Sequence, residues 1–122
     1  MSKMVFVVNT SLKMKPGKLA SQVAHTGVSL YIKAKTSPKN YFFGIKEIDT
    51  WVLKGQKKIV LKGIDDTHLN DLIKKAGESK LLSILIRDAG HTHLIPGSLT
   101  CLGIFGKEEE VNAITGSLRL YN

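Results

Sequence analysis

A layered α/β domain with a mixed sheet is predicted by three features of this 122-residue chain. Short apolar runs alternate with segments of helical periodicity, in the order strand, helix, helix, strand, helix, strand, strand, helix. The run Leu81–Ile86 is apolar but for Ser83, as expected of a strand covered on both faces. The connection from Arg87 to Ser98 is too short and too turn-rich for a crossover helix, so the last strand runs antiparallel to a neighbour.

Each element has its own justification. Met4–Val8 is an apolar run that reads as a buried strand. Pro16 suits the first turn of a helix, where its missing N–H is not needed, and that helix extends to about Lys35. Thr36–Asn40 is a loop by composition. Gly44 to Leu53, with Trp51, reads as a short helix, and Lys57–Lys62 as a strand. Asp65 or Asp66 caps a helix that carries Leu69, Leu72 and Ile73 and ends near Gly77. Leu99–Phe105 is a further strand. Glu108–Thr115 is a short helix with acids in its first turn, where the helix dipole favours them. Leu118–Tyr121 is a terminal strand or turn.

The length fits one domain, residues 1–122, with one real core. No repeat or low-complexity tract divides it. The formal net charge of +8 is unevenly placed. The first 46 residues hold eight lysines and no acid, while the rest holds ten bases and ten acids. A basic, segregated charge favours nucleic acid or another polyanion as partner. Cys101 is the lone cysteine, which excludes an intrachain disulfide and points to the cytoplasm. The run Met4–Val8 is too short for a signal-peptide core or a membrane span, so no membrane association is expected.

The stretch Lys13–His25 carries the strongest local signal. Lys13, Lys15 and Lys18 stand at a helix N-terminus, where the dipole is already positive and further cations cost free energy. Such an end binds phosphate readily. On a helical wheel Lys18, Gln22, His25 and Ser29 fall within an arc of roughly 60°. The plain reading of that stripe is a solvent face. Against it, the stripe has no acid, and it gathers an amine, an amide and an imidazole in one line.

A second group follows the strand Leu81–Ile86. Asp88 lies where the strand gives way to a turn containing Gly90, with hydroxyls of Thr92, Ser98 and Thr100 close in sequence. Sites in α/β sheets collect beyond the carboxyl ends of parallel strands. If the strands preceding Lys18 and Asp88 are parallel neighbours, the two side chains face one crevice. Equally, Asp88 caps its own turn. His91 and His93 project to one side of an extended segment, but the further ligands a metal needs have no recognisable spacing, and no metal is expected. No phosphate-binding Gly-rich loop and no nucleophile elbow occurs, so no cofactor is expected. Phe42 and Phe43, beside Lys39 and Lys46, are packing groups or stacking platforms for unpaired bases.

Taken together, the motifs resemble the type II peptidyl-tRNA hydrolase family of archaea and eukaryotes. The resemblance is carried by Lys13-x-Lys15-x-Gly17-Lys18-x-Ala20-x-Gln22-x-x-His25, by Gly55-Gln56-x-Lys58-Ile59-Val60-Leu61-Lys62, and by Asp88-Ala-Gly90-x-Thr92 continued as Ile95-Pro-Gly97-Ser98-x-Thr100. Gly103-Ile104 and Thr115-Gly116-x-Leu118 extend it over nearly the whole chain. It differs from the family pattern at His91, where Arg or Lys is common, at His93, and in Val23–Gly27.

The resemblance implies a three-layer domain, a mixed four-stranded sheet with helices on both faces. It implies hydrolysis of the ester joining a stalled peptide to the 3′ end of tRNA, a soluble cytoplasmic form, and catalytic residues at Lys18, Gln22, Asp88 and Thr92. His25, Ser98 and Thr100 are additional site candidates. Lys13, Lys15, Lys33 and Lys35 are the candidates for contacts to tRNA phosphates. In this reading Asp88 orients or activates water, Lys18 keeps it ionised and supplies charge to the tetrahedral intermediate, and Gln22 and Thr92 position water or the carbonyl. The alternative is a non-catalytic RNA- or protein-binding module of the same fold, which has no need of Asp88. A homodimer is left open by the sequence.

Overall fold

The computed structural model describes residues 1–37, 45–89 and 97–122. Strand β1 (Ser2–Asn9) leads through a 3-10 turn (Thr10–Leu12) into helix α1 (Pro16–Thr36). Helix α2 (Ile45–Leu53), strand β2 (Lys58–Gly63), helix α3 (Asp66–Glu78), strands β3 (Leu82–Arg87) and β4 (Leu99–Lys107), and helix α4 (Glu108–Thr115) follow. The elements match the order read from the sequence. Phe42, Phe43, Gly44, His91, Thr92 and His93 lie outside the described residues.

Four strands form one mixed sheet in the order β2-β1-β4-β3. β1 pairs with β2 in parallel and with β4 antiparallel, and β3 pairs with β4 antiparallel. β1 and β3 therefore point the same way, but they are not neighbours. The condition that they be parallel neighbours is not met: β4 inserts between them. Because β4 is antiparallel to both, their carboxyl ends still share one edge of the sheet with the start of β4. The C-terminal segment adds one antiparallel bridge to the outer edge of β2, Leu61 to Leu120.

Glycines set the layer spacing. A Cβ on Gly103 of β4 would stand 2.7 Å from Thr26 Cγ2 and 3.3 Å from Leu30 Cδ2, so α1 lies directly on β4. On the opposite face, a Cβ on Gly63 of β2 would meet Leu69 Cδ1 of α3 at 2.6 Å. Helix α2 joins the α1 face, where Trp51 meets the Phe105 ring edge-on with centroids 5.5 Å apart. The core between the layers includes Val5, Phe6, Val7, Leu30, Leu69, Leu102, Ile104 and Phe105, all fully buried. Asp65 caps α3, its carboxylate accepting the His68 N–H at 2.9 Å.

Candidate active site

The site is built where the ends of β1 and β3 meet the start of β4. Pro16 opens α1 with no side-chain cap, after Lys15 in extended conformation. The backbone enters this helix through Lys13, which adopts the left-handed region at φ 49°. Lys13 and Lys15 project from this entry as exposed side chains. Lys18, in the first turn of α1, reaches back over the sheet edge. Its Nζ donates to Asp88 Oδ1 at 2.6 Å. The Asp88 side chain is 1% exposed and that of Lys18 14%, so this is a largely buried charge pair.

Asp88 is held by backbone as well. Its N–H donates to Ser98 O at 2.8 Å, and its carbonyl accepts the Gly97 N–H at 3.1 Å. The two ends of the connection from β3 to β4 are thereby clamped together. Two residues on, Thr100 is fully buried. Its hydroxyl lies 2.6 Å from Gln22 Oε1 and 3.2 Å from Ile86 O, and its single proton serves the nearer acceptor best. Lys18–Asp88 and Gln22–Thr100 are thus two adjacent links between α1 and the sheet edge, one charged and one neutral.

This arrangement corrects the reading of the polar stripe as a solvent face. Gln22 is buried, together with Thr26, Leu30 and Ala34. That buried line steps by four residues and rolls about 40° around the axis at each step. Lys18 stands at the start of the line, and Gln22 turns inward beneath it. His25 is exposed, and no bond to the Lys18–Asp88 pair is described for it. Ser98 contributes its backbone carbonyl and is half-buried.

The basic face also divides. Lys33 donates to Ser83 O at 2.7 Å, and Lys35 pairs with Asp49 at 2.7 Å. Tyr31 donates to the same Asp49 carboxylate at 3.1 Å, so this cluster ties α1 to α2. The Lys35 ammonium holds Asp49 below the usual carboxylate range, and the carboxylate raises Lys35 in turn. Two of the four lysines expected to meet phosphate are therefore engaged within the fold. Cys101, buried on the α1 face of β4, has its thiol pushed up to about 11 by burial.

A residue the sequence reading passed over is Asn9, fully buried at the carboxyl end of β1. The only sequence signal was an Asn-Thr-Ser run directly after an apolar strand, a pattern suited to side-chain bonds back to the local backbone. Among the described residues, no helix is long and apolar enough to cross a membrane.

Comparison with known proteins places the chain in a family. The family described as peptidyl-tRNA hydrolase PTH2 matches residues 2–121. A Methanopyrus kandleri peptidyl-tRNA hydrolase is 44% identical over 121 residues, covering 98% of this chain and 98% of that protein. A peptidyl-tRNA hydrolase of Thermococcus sibiricus is 43% identical over 119 residues, covering 97% and 96%. A probable peptidyl-tRNA hydrolase 2 of Caenorhabditis elegans is 44% identical over 118 residues, which are 97% of this chain but 36% of that longer protein. A solved structure of a protein of unknown function from Agrobacterium superposes with a TM-score of 0.63 at 14% identity, covering 99% of this chain and 98% of that one. That likeness shows the fold alone. With the family match spanning residues 2–121, the chain belongs to the peptidyl-tRNA hydrolase PTH2 family.

Proposed function

We propose that this protein hydrolyses the ester between the peptide and the terminal ribose of peptidyl-tRNA, acting in the cytoplasm to return free tRNA after stalled or aborted translation. The observation that carries the reading is the Lys18–Asp88 pair, buried at the sheet edge beside Gln22–Thr100. Ester hydrolysis needs a group to orient or deprotonate water and positive charge for the developing oxyanion. Asp88 accepts a proton from the attacking water as its oxygen bonds to the ester carbonyl carbon. Lys18 neutralises charge on the tetrahedral intermediate. The carbon–oxygen bond to the ribose then breaks, the ribose oxygen takes up the proton from Asp88, the peptide carboxyl loses its remaining proton to solvent, and free peptide and tRNA leave. Gln22 and Thr92 position water or the carbonyl, with Thr100 holding Gln22, and His25 and Ser98 line the approach. No covalent intermediate is needed.

Lys13 and Lys15 contact tRNA phosphates. Lys33 and Lys35 lie further along α1 and add to the basic field. Phosphate contacts orient the substrate without reading sequence. Both members of the ion pair come from one chain, so the chemistry requires no second copy.

The test is peptide release from a blocked aminoacyl-tRNA by the purified protein. Asp88→Asn should lower kcat by about 100-fold or more. Wild-type turnover in that variant would remove Asp88 from its role. Binding of tRNA without release by the wild type would point instead to a non-catalytic module.

A further inference from the structure

The side chain of Asn9 is completely satisfied. Its Nδ2 donates to Leu99 O at 2.8 Å and to Asp66 Oδ1 at 2.8 Å. Its Oδ1 accepts the Ser11 N–H at 3.1 Å and the Ser11 hydroxyl at 2.6 Å. Two amide hydrogens and two carbonyl lone pairs are all used, so the orientation of the group is fixed. The five residues before it, Met4–Val8, are all apolar and buried. Where burial alone is needed, this strand uses hydrocarbon. A polar side chain at its end costs desolvation, and what it gains is a defined geometry among its neighbours.

Those neighbours lead to both halves of the ion pair. Ser11 belongs to the turn that runs through Lys13 into α1 and Lys18. Leu99 stands between Ser98, whose carbonyl accepts the Asp88 N–H, and Thr100, whose hydroxyl meets Gln22. The ion pair joins residues 70 apart in the chain, and this one amide bonds the backbone leading to each. We propose that Asn9 is a positioning residue for the hydrolysis: its amide sets the spacing between the segment that delivers Lys18 and the strand start that holds Asp88.

The inference rests on the hydrolytic reading above. A wild-type protein that leaves peptidyl-tRNA intact defeats that reading, whereas an active wild type with unaffected Asn9 variants defeats this one. In Asn9→Ala, kcat should fall about 10-fold or more with KM within about twofold, because a misplacement near 1 Å at reacting groups costs up to ~100-fold. Circular dichroism and the unfolding midpoint establish that the assayed protein is folded. A folded Asn9→Ala with wild-type kcat overturns the proposal. Asn9→Asp replaces the donor to Leu99 O by an acceptor and should lower kcat likewise, again with KM little changed. Should these variants fail to fold, Ser11→Ala decides, since it deletes only the hydroxyl bond of an exposed residue. There kcat should drop about threefold at an unmoved midpoint, and an unchanged kcat overturns the proposal.

Discussion

Removing the ammonium from Lys18 takes the cation from a buried carboxylate, and the structure indicates how much that should cost. In Lys18→Met the stem keeps its volume, but Asp88, with its side chain 1% exposed, loses its cation. An exposed pair would be worth less than about 1 kcal/mol. Breaking a buried pair by deleting one partner costs about 3–5 kcal/mol. Lys18 is 14% exposed, so water can approach the carboxylate once the ammonium is gone, and the lower end of that range applies. The expected loss is about 3 kcal/mol at pH 7, or a midpoint lower by ~10 °C for a chain of this size. Lys18→Met combined with Asp88→Asn should recover about 2 kcal/mol, because the residues act on each other and not separately. Urea unfolding of the four proteins at pH 7 measures all of this. If Lys18→Met lies within about 0.5 kcal/mol of wild type at pH 7, the carboxylate is solvated in solution and the buried-pair argument fails.

Three further outcomes follow from the same geometry. Gly103→Ala would press a methyl group against Thr26 and Leu30, costing about 1–3 kcal/mol in urea unfolding and lowering kcat by displacing α1. Cys101, whose folded thiol ionises only near 11 against an ordinary value of 9.0, should resist iodoacetamide at pH 9 until denaturant is added. The sign for stability follows: the unfolded thiol ionises first, so stability is lost as pH rises from 9 toward 11. Finally, tRNA affinity should fall steeply with salt, and Lys13→Gln and Lys15→Gln should each reduce the slope of log K against log salt by about 1, while Lys35→Gln, already paired with Asp49, changes it less.

The elements were legible because each has a local cause. Pro16 starts α1, Asp65 caps α3, and the mostly apolar run of β3, broken by Ser83, marks a strand. The pairing of Lys18 with Asp88 was legible only conditionally, since sequence shows which strands precede them but not what lies between. The short Arg87–Ser98 connection makes β3 and β4 an antiparallel pair, yet whether β4 or β3 sits next to β1 depends on packing across the sheet. The fate of Gln22 was hidden for another reason. A helical wheel assigns faces to an isolated helix, but which face is buried depends on how α1 crosses β4, and Gly103 settles that from 77 residues beyond Thr26. Lys33 and Lys35 counted equally with Lys13 and Lys15 as charges. Their partners, Ser83 and Asp49, come from other elements and leave no trace at the lysines themselves.

The place of β4 has a kinetic consequence. It is the last strand in the chain, yet it occupies the interior of the sheet and pairs with the first, setting Lys107 opposite Ser2. Contacts between such distant residues raise the contact order and slow folding. Without β4, the sheet is reduced to the parallel pair β1 and β2, β3 has no strand partner, and Lys18 has no fixed relation to Asp88. Partly folded chains should therefore carry native-like helices and no hydrolytic activity. In refolding experiments, recovery of turnover should coincide with the slowest protection of β1 and β4 amides and lag behind the return of helical signal.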